Sequence, residues 1–344
     1  MEEIPVYWKT TLRDIEEGVQ TVRTGIVETA GHSAGGRPIY LVRYGEKNHL
    51  RRTANNSSAL GAGAPECYAD KTAVDYRPTI LLAGGIHGGE FEGTAALLNL
   101  IHVQETGTDF AGNDYTDLAV LCKNATILMI PCVNPDGRSR IPFKSMVGKT
   151  FEQLRYYNQG TWKDGSLCGY PACKKIHPIK AQAGFLGAYF NDDGVNLMHD
   201  DFFGKKAPET QLLFDITDTY VPDFTVLLHG GTNTVNCILK PAYAPEVLKR
   251  RALALEKQMA AHCAAEHIPY HVTPMDRGET KEPPASFNLV SALSQLSGEL
   301  CVTYESNQGL AENGVLGYPD IYKAHMILLE ESIKMFGQND KEEV

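Results

Sequence analysis

Four short stretches of the chain are apolar without a break, and each closes on a turn or a polar residue. TILLAGG (79–85) and FTVLLHGG (224–231) end in glycines, ATILMIPCV (125–133) runs into Asn134-Pro135-Asp136-Gly137, and ELCVTYES (299–306) ends polar. Apolar runs of this length without alternation predict strands covered on both faces. Helical spacing of apolar positions predicts helices from Glu90 to about Gln104, over TQLLFDITDTY (210–220), and over PEVLKRRALALEKQMAAHCAAEH (245–267). A closing helix is expected over PDIYKAHMILLEESIKMFG (319–337), with proline near its start. Residues 20–45 read as two shorter strands, VQTVRTGIVETA and RPIYLVRYG, joined by the turn-rich GHSAGG (31–36). Glu46 to about Asp75 is polar and small, hence a loop, and residues 138–193 are expected to be mostly loop and short helix. Strands alternating with helices predict an α/β/α sandwich. With no internal repeat, heptad run or domain-length linker, the expectation is one domain over 1–344, with an inserted loop region around 140–190.

Composition narrows the function classes. The formal net charge of −10 opposes phosphate backbones, and no basic cluster carries interleaved aromatics, so a nucleic-acid partner is not expected. No stretch approaches the roughly 20 apolar residues of a membrane helix. The opening MEEIPVYWKTTLRDIEEG is acidic and lacks an apolar core of signal-peptide length, so a cytoplasmic location is expected. Eight scattered cysteines, several inside apolar runs, such as Cys132 and Cys301, fit reduced core residues better than a disulfide framework.

Candidate chemistry gathers at the carboxyl ends of the apolar runs, where open α/β sheets bind their ligands. His87 and Glu90 follow the first run, His229 closes the third, and Glu305 closes the fourth. His-x-x-Glu puts an imidazole and a carboxylate on one turn at the mouth of a helix. One distant histidine completes the two-histidine, one-carboxylate set of a catalytic zinc, whose fourth position stays open for water. Such a site brings the pKa of its water to about 7 and polarises a carbonyl. A nearby carboxylate must then carry the proton to the leaving amine, and Glu305 is the candidate. Each residue alone has an ordinary explanation, a satisfied polar histidine or a paired carboxylate. The setting Ile86-His87-Gly88-Gly89-Glu90, directly after a buried strand, favours the metal reading.

As an ordered set these motifs resemble the zinc metallocarboxypeptidases, the carboxypeptidase A-like enzymes. The family's H-x-x-E appears as His87–Glu90, its N-P-D-G turn as Asn134–Gly137, and its strand-end histidine as His229. The separation of His229 from Glu305 is close to the family's spacing from third ligand to catalytic glutamate. Gly31-His32-Ser33-Ala34-Gly35-Gly36-Arg37-Pro38-Ile39 is similar to its early G-x-S-x-x-G-R-x-I hairpin. The resemblance covers about residues 20–335 and implies a mixed, eight-stranded sheet flanked by helices, one Zn2+ per chain, and a peptide substrate.

The chain departs from the family at the substrate side. Gly194-Val195-Asn196-Leu197-Met198-His199 resembles the family's G-V-D-x-N-R, so the aspartate that supports a zinc histidine becomes Asn196. An amide still accepts a hydrogen bond but carries no charge to raise the basicity of its histidine. The Asn-Arg pair that grips the terminal carboxylate becomes Met198 and His199, and histidine lacks the bidentate fork of arginine. Asn196, His199, Arg138 and Arg140 are the candidates for substrate contact. Arg155, ahead of Lys163, is the candidate for the resemblance's oxyanion-stabilising cation. No tyrosine lies in GETKEPPASFNLVSALSQLSG before Glu305 to match the family's mobile tyrosine. Cys168, Cys173 and His177, in an insertion relative to the family, have spacing that could hold a second, structural metal, although no fourth ligand is evident. The expectation is a peptide or amide hydrolase with altered recognition of the substrate carboxylate. Its rivals are an acylase of the aspartoacylase and succinylglutamate desuccinylase type, acting on N-acyl amino acids, and a non-catalytic peptide-binding member.

Overall fold

A computed structural model describes residues 3–231, 235–313 and 316–337. Along the chain these form α1 (Leu12–Gln20), β1 (Ile26–His32), β2 (Pro38–Tyr44), α2 (Asn56–Gly61), β3 (Thr79–Ala83), α3 (Glu92–Thr106), α4 (Thr116–Cys122) and β4 (Thr126–Ile130). There follow α5 (Pro135–Ser139), α6 (Phe151–Leu154), β5 (Gly160–Trp162), β6 (Ala183–Leu186), α7 (Pro208–Tyr220), β7 (Phe224–Gly231) and β8 (Asn236–Leu239). The chain continues through α8 (Glu246–Ala265), β9 (Tyr270–His271), α9 (Leu289–Ser297), β10 (Leu300–Asn307) and α10 (Tyr318–Phe336).

The described residues form a mixed eight-stranded sheet in the order β1-β2-β4-β3-β7-β10-β8-β9, and β5 and β6 pair separately. Its four central strands are parallel to one another, β4 with β3, β3 with β7, and β7 with β10. Their apolar runs are unbroken because both faces are covered. On β3, Ile80 and Leu82 join one core while Leu81 and Ala83 join the other. Ile127 and Met129 on β4 divide from Leu128 and Ile130 in the same way. The first core lies under α1, α3, α8 and α10, and the second under α7 and α9. Among the described residues no helix is long and apolar enough to cross a membrane.

Some elements differ from the sequence expectation. Val19 and Gln20 end a helix rather than opening a strand, because Thr11 and Asp14 form a reciprocal capping box and Ile15 and Val19 bury one face. Within the expected loop 46–75, Asn55 caps the short α2. Asn134-Pro135-Asp136-Gly137 is not a free turn but the start of α5, with Asn134 as cap and proline in its first turn. The β5–β6 pair inside the 138–193 region, the short β8 and β9, and the helix α9 are also additions.

The early hairpin motif and the Asn134–Gly137 motif have a shared structural reason. Asp136, fully buried, accepts from Ser33 Oγ (2.5 Å), Gly35 N–H (2.8 Å), Arg37 Nη1 (2.7 Å) and Asp192 N–H (3.0 Å). One carboxylate thus ties the β1–β2 hairpin to the α5 turn. That turn in turn supports the loop after β3: a Cβ on Gly88 would stand 2.0 Å from the Arg138 backbone nitrogen, so only glycine lets the two backbones meet.

Candidate metal centre and active-site cavity

The parallel pairing of β7 with β10 sets His229 directly opposite Glu305. On the far side of β10, Cys237 of β8 is opposite Glu305 and Leu239 opposite Thr303. Period-two alternation sends these side chains to one face, and all five residues line a single cavity of about 570 Å³. His87, from the loop between β3 and α3, reaches the same cavity.

His87, Glu90 and His229 are buried, and their candidate ligand atoms all lie within 4.8 Å of one another. His87 Nδ1 is 2.8 Å from Glu90 Oε1, and His229 Nδ1 is 2.8 Å from Glu90 Oε2. On its other side His87 Nε2 is 3.1 Å from Asn196 Oδ1. That amide oxygen also accepts from the Met198 backbone N–H at 3.0 Å, which fixes its orientation. His87 therefore donates from Nε2 to Asn196 and turns the lone pair of Nδ1 toward Glu90. Two acceptors then face each other, an arrangement that calls for a cation between them. The Tyr189 ring covers His87, 3.8 Å between centroids and nearly parallel.

The electrostatics agree with a site built around positive charge. Burial pushes the Glu90 carboxyl up, but the two histidines outweigh it and hold the group at about 2. Burial lowers His87, more than Glu90 and Asn196 raise it, and so favours its neutral form. Burial also disfavours charge on His229, yet Glu90 and then Glu305 leave it above its ordinary value. Two neutral-capable imidazoles and one carboxylate, converging in a buried place with an open cavity beside them, fit a zinc of the catalytic type. Glu305 is pushed up to about 7, by burial first and by Glu90, against the lowering influence of His229, Arg277 and Lys174.

Of the remaining candidates, Arg155, Asn196 and His199 line the cavity. Asn196 is bonded through its amide oxygen to His87, so it orients that imidazole at the cavity wall. Burial, then Lys174 and the nearby histidines, lower His199 to about 3, so it offers no positive charge at neutral pH. Lys163 is exposed on the β5–β6 hairpin and is absent from the cavity wall.

Arg138 and Arg140 are not at the cavity, contrary to the sequence expectation. Arg138 is buried and gives Nε to Thr10 O (2.7 Å), Nη1 to Ile141 O (3.1 Å) and Nη2 to Phe143 O (2.9 Å). Arg140 pairs with Asp192 (2.6 Å) and donates to the Phe190 carbonyl. Both hold loops together. The second metal set does not assemble either: among the described residues His87, Glu90 and His229 form the one candidate cluster. Cys168 and Cys173 are buried in a small apolar cluster with Ile179 and Phe190, and His177 Nε2 accepts the Asn196 backbone N–H at 2.9 Å.

Sequence reading missed Lys174, Tyr189 and Arg277, which all line the cavity. They come from irregular segments, where no periodicity or motif marks them.

An α/β/α sandwich with two histidines and two glutamates at the carboxyl ends of its parallel strands defines a metallohydrolase-like class. The zinc carboxypeptidase family model matches residues 20–288, and the chain belongs to that family of zinc-dependent enzymes. The matched stretch holds His87, Glu90 and His229 and stops short of Glu305. No curated protein sequence matches the chain. Among solved structures, a carboxypeptidase-like protein from Burkholderia mallei is 14% identical, with 94% of this chain and 67% of that one covered and a TM-score of 0.58. A metallo-carboxypeptidase from Burkholderia cenocepacia is 15% identical over 93% of this chain and 66% of that one, TM-score 0.56. Bovine thrombin-activatable fibrinolysis inhibitor, solved with tick carboxypeptidase inhibitor, is 15% identical over 96% and 97%, TM-score 0.56. At these identities the likeness is one of fold. The chain spans about two thirds of the length of the two Burkholderia proteins.

Proposed function

We propose that this chain is a zinc-dependent peptidase of carboxypeptidase type whose recognition of the substrate carboxylate differs from the family pattern. The observation that carries the reading is the convergence of His87 Nδ1 and His229 Nδ1 on Glu90, with Glu305 one strand away at the same cavity. In this reading His87, Glu90 and His229 hold one Zn2+, and Asn196 orients His87 from behind. Zinc held there would make a water a ready nucleophile and polarise the scissile carbonyl.

Glu305 takes a proton from the attacking water at its carboxylate as the new C–O bond forms, and then passes it to the amine nitrogen as the C–N bond breaks and the amine leaves. A value near neutrality suits a group that must accept and then release that proton. Arg155 faces the cavity without an acid partner among the described residues, and its fork suits the oxyanion of the tetrahedral intermediate. A binding-only role would require none of this machinery.

The test is hydrolysis by the zinc-loaded protein of a panel of peptides and N-acyl amino acids, with product identification. Release of C-terminal residues from peptides is expected. Turnover of N-acyl amino acids with no peptide cleaved would replace the peptidase reading by the acylase one. No turnover in either class, with zinc bound, would leave the non-catalytic reading.

A further inference from the structure

The family pattern places an arginine against the substrate carboxylate at the position His199 occupies, and His199 is neutral here. The cationic groups of the cavity lie elsewhere. Among the described residues its wall carries Arg155, Lys174, Lys240 and Arg277, against Glu305 as the one carboxylic side chain. This is a cationic concavity on a chain of net charge −10.

Where a cation serves packing, the fold pairs it. Lys240, fully buried, is bonded to Glu256 and to Thr273 O (2.8 Å) and Oγ1 (3.0 Å). Arg138 and Arg140 are satisfied by carbonyls and Asp192, as above. Arg277 and Lys174 are treated differently. Both are half-buried, and neither guanidinium nor ammonium meets a carboxylate among the described residues. Lys174 Nζ lies against Tyr170, 3.4 Å from its hydroxyl and 4.5 Å from the ring centroid. Both cations lie close enough to Glu305 to oppose the rise in its pKa. They come from different segments: Lys174 from the stretch between β5 and β6, and Arg277 from the loop between β9 and α9. A half-buried cation with no carboxylate beside it keeps its charge available to an anion that enters the cavity.

We infer that Arg277 and Lys174 form a two-point anion site in the cavity and select substrates whose C-terminal residue is dianionic, an acidic amino acid with its α-carboxylate and side-chain carboxylate. This rests on the peptidase reading and assigns its substrate class. Arg277 supplies the stronger contact, since its fork can bind a carboxylate through two N–H bonds. Lys174 supplies a point charge for the second carboxylate.

The experiment compares peptides identical except for a C-terminal glutamate or glutamine, on zinc-loaded wild type, Arg277→Gln and Arg277→Glu, with melting temperature and zinc content measured on each. One charge-assisted contact changes kcat/KM by about 10- to 100-fold. Wild type should therefore favour the glutamate peptide by roughly that factor, Arg277→Gln should reduce the preference toward unity, and Arg277→Glu should reverse it toward the glutamine peptide. With Arg277 on the side-chain carboxylate, Lys174 faces the α-carboxylate that both peptides carry, so Lys174→Gln should slow both and leave the preference in place. Equal rates on the two peptides in the wild type would overturn the anion site while leaving the peptidase reading intact. If the wild type cleaves neither, calorimetric binding of free L-glutamate and L-glutamine decides. Glutamate binding that is tighter than glutamine binding and is lost in Arg277→Gln would keep the anion site and discard the peptidase reading. Equal or undetectable binding of both would discard the site. An Arg277→Gln protein with altered melting or zinc content is replaced by Arg277→Lys, which keeps the charge and should keep part of the preference.

Discussion

The imidazole of His87 stands between an amide oxygen on Nε2 and a carboxylate oxygen on Nδ1. Asn196 sets the tautomer, and Glu90 supplies the negative charge that a metal would share. This much could be read from the sequence, because His87 and Glu90 share one short motif and His229 and Glu305 close apolar runs. The substrate contacts could not. Arg138 and Arg140 sit beside a recognisable motif, yet that position directs them into loop carbonyls and Asp192. Arg277 lies in a loop whose sequence has no period to place it. At this scale the account makes a prediction for Glu305. Its burial holds it near 7, raised from an ordinary carboxylate, so as pH falls through that region it takes up the proton that disables it as a base. The kcat/KM of the wild type should rise with pH and level off on the alkaline side. A bound divalent cation favours the ionised form, so the acid limb should fall at or below 7. Glu305→Gln should keep its zinc and lose about 10²- to 10⁴-fold in kcat. A variant with wild-type turnover and the same acid limb would remove Glu305 from the mechanism.

Among elements, the long and doubly covered strands were legible because their side chains meet a core on both faces. Short β5, β6, β8 and β9 were not, since two to four residues cannot display a period. α1 was hidden because an apolar run overlapping its end resembled a strand, while its start depends on the local Thr11–Asp14 exchange. Glycines in the loop after β3 do a job that the motif alone does not explain. Gly88 has no left-handed backbone demand; its constraint is the 2.0 Å approach that a Cβ would make to the Arg138 nitrogen. Gly88→Ala should push this loop off α5, cost on the order of 1–3 kcal/mol of stability and weaken zinc binding. Gly61→Ala, with nothing near the added carbon, should be close to neutral. Denaturant unfolding and zinc titration of the two variants check this. Equal stability and affinity would mean that the backbone packing does not position His87.

For the whole molecule, the order of the sheet explains why residues from distant parts of the sequence share one cavity. β3, β7 and β10 are consecutive parallel neighbours, so their carboxyl ends open on the same edge. The sequence pattern predicted these strands and their ends but not the order in which they lie; the family resemblance implied a mixed, eight-stranded sheet, and the order itself is read from the structure. The central claim is that the three converging side chains hold a metal, and zinc content measured by elemental analysis on wild type and His87→Ala tests it most directly. About one zinc per chain in the wild type, lost in a His87→Ala protein that still folds, is the predicted result. A wild type that takes up no zinc when it is supplied, or a variant that retains it, would contradict the account.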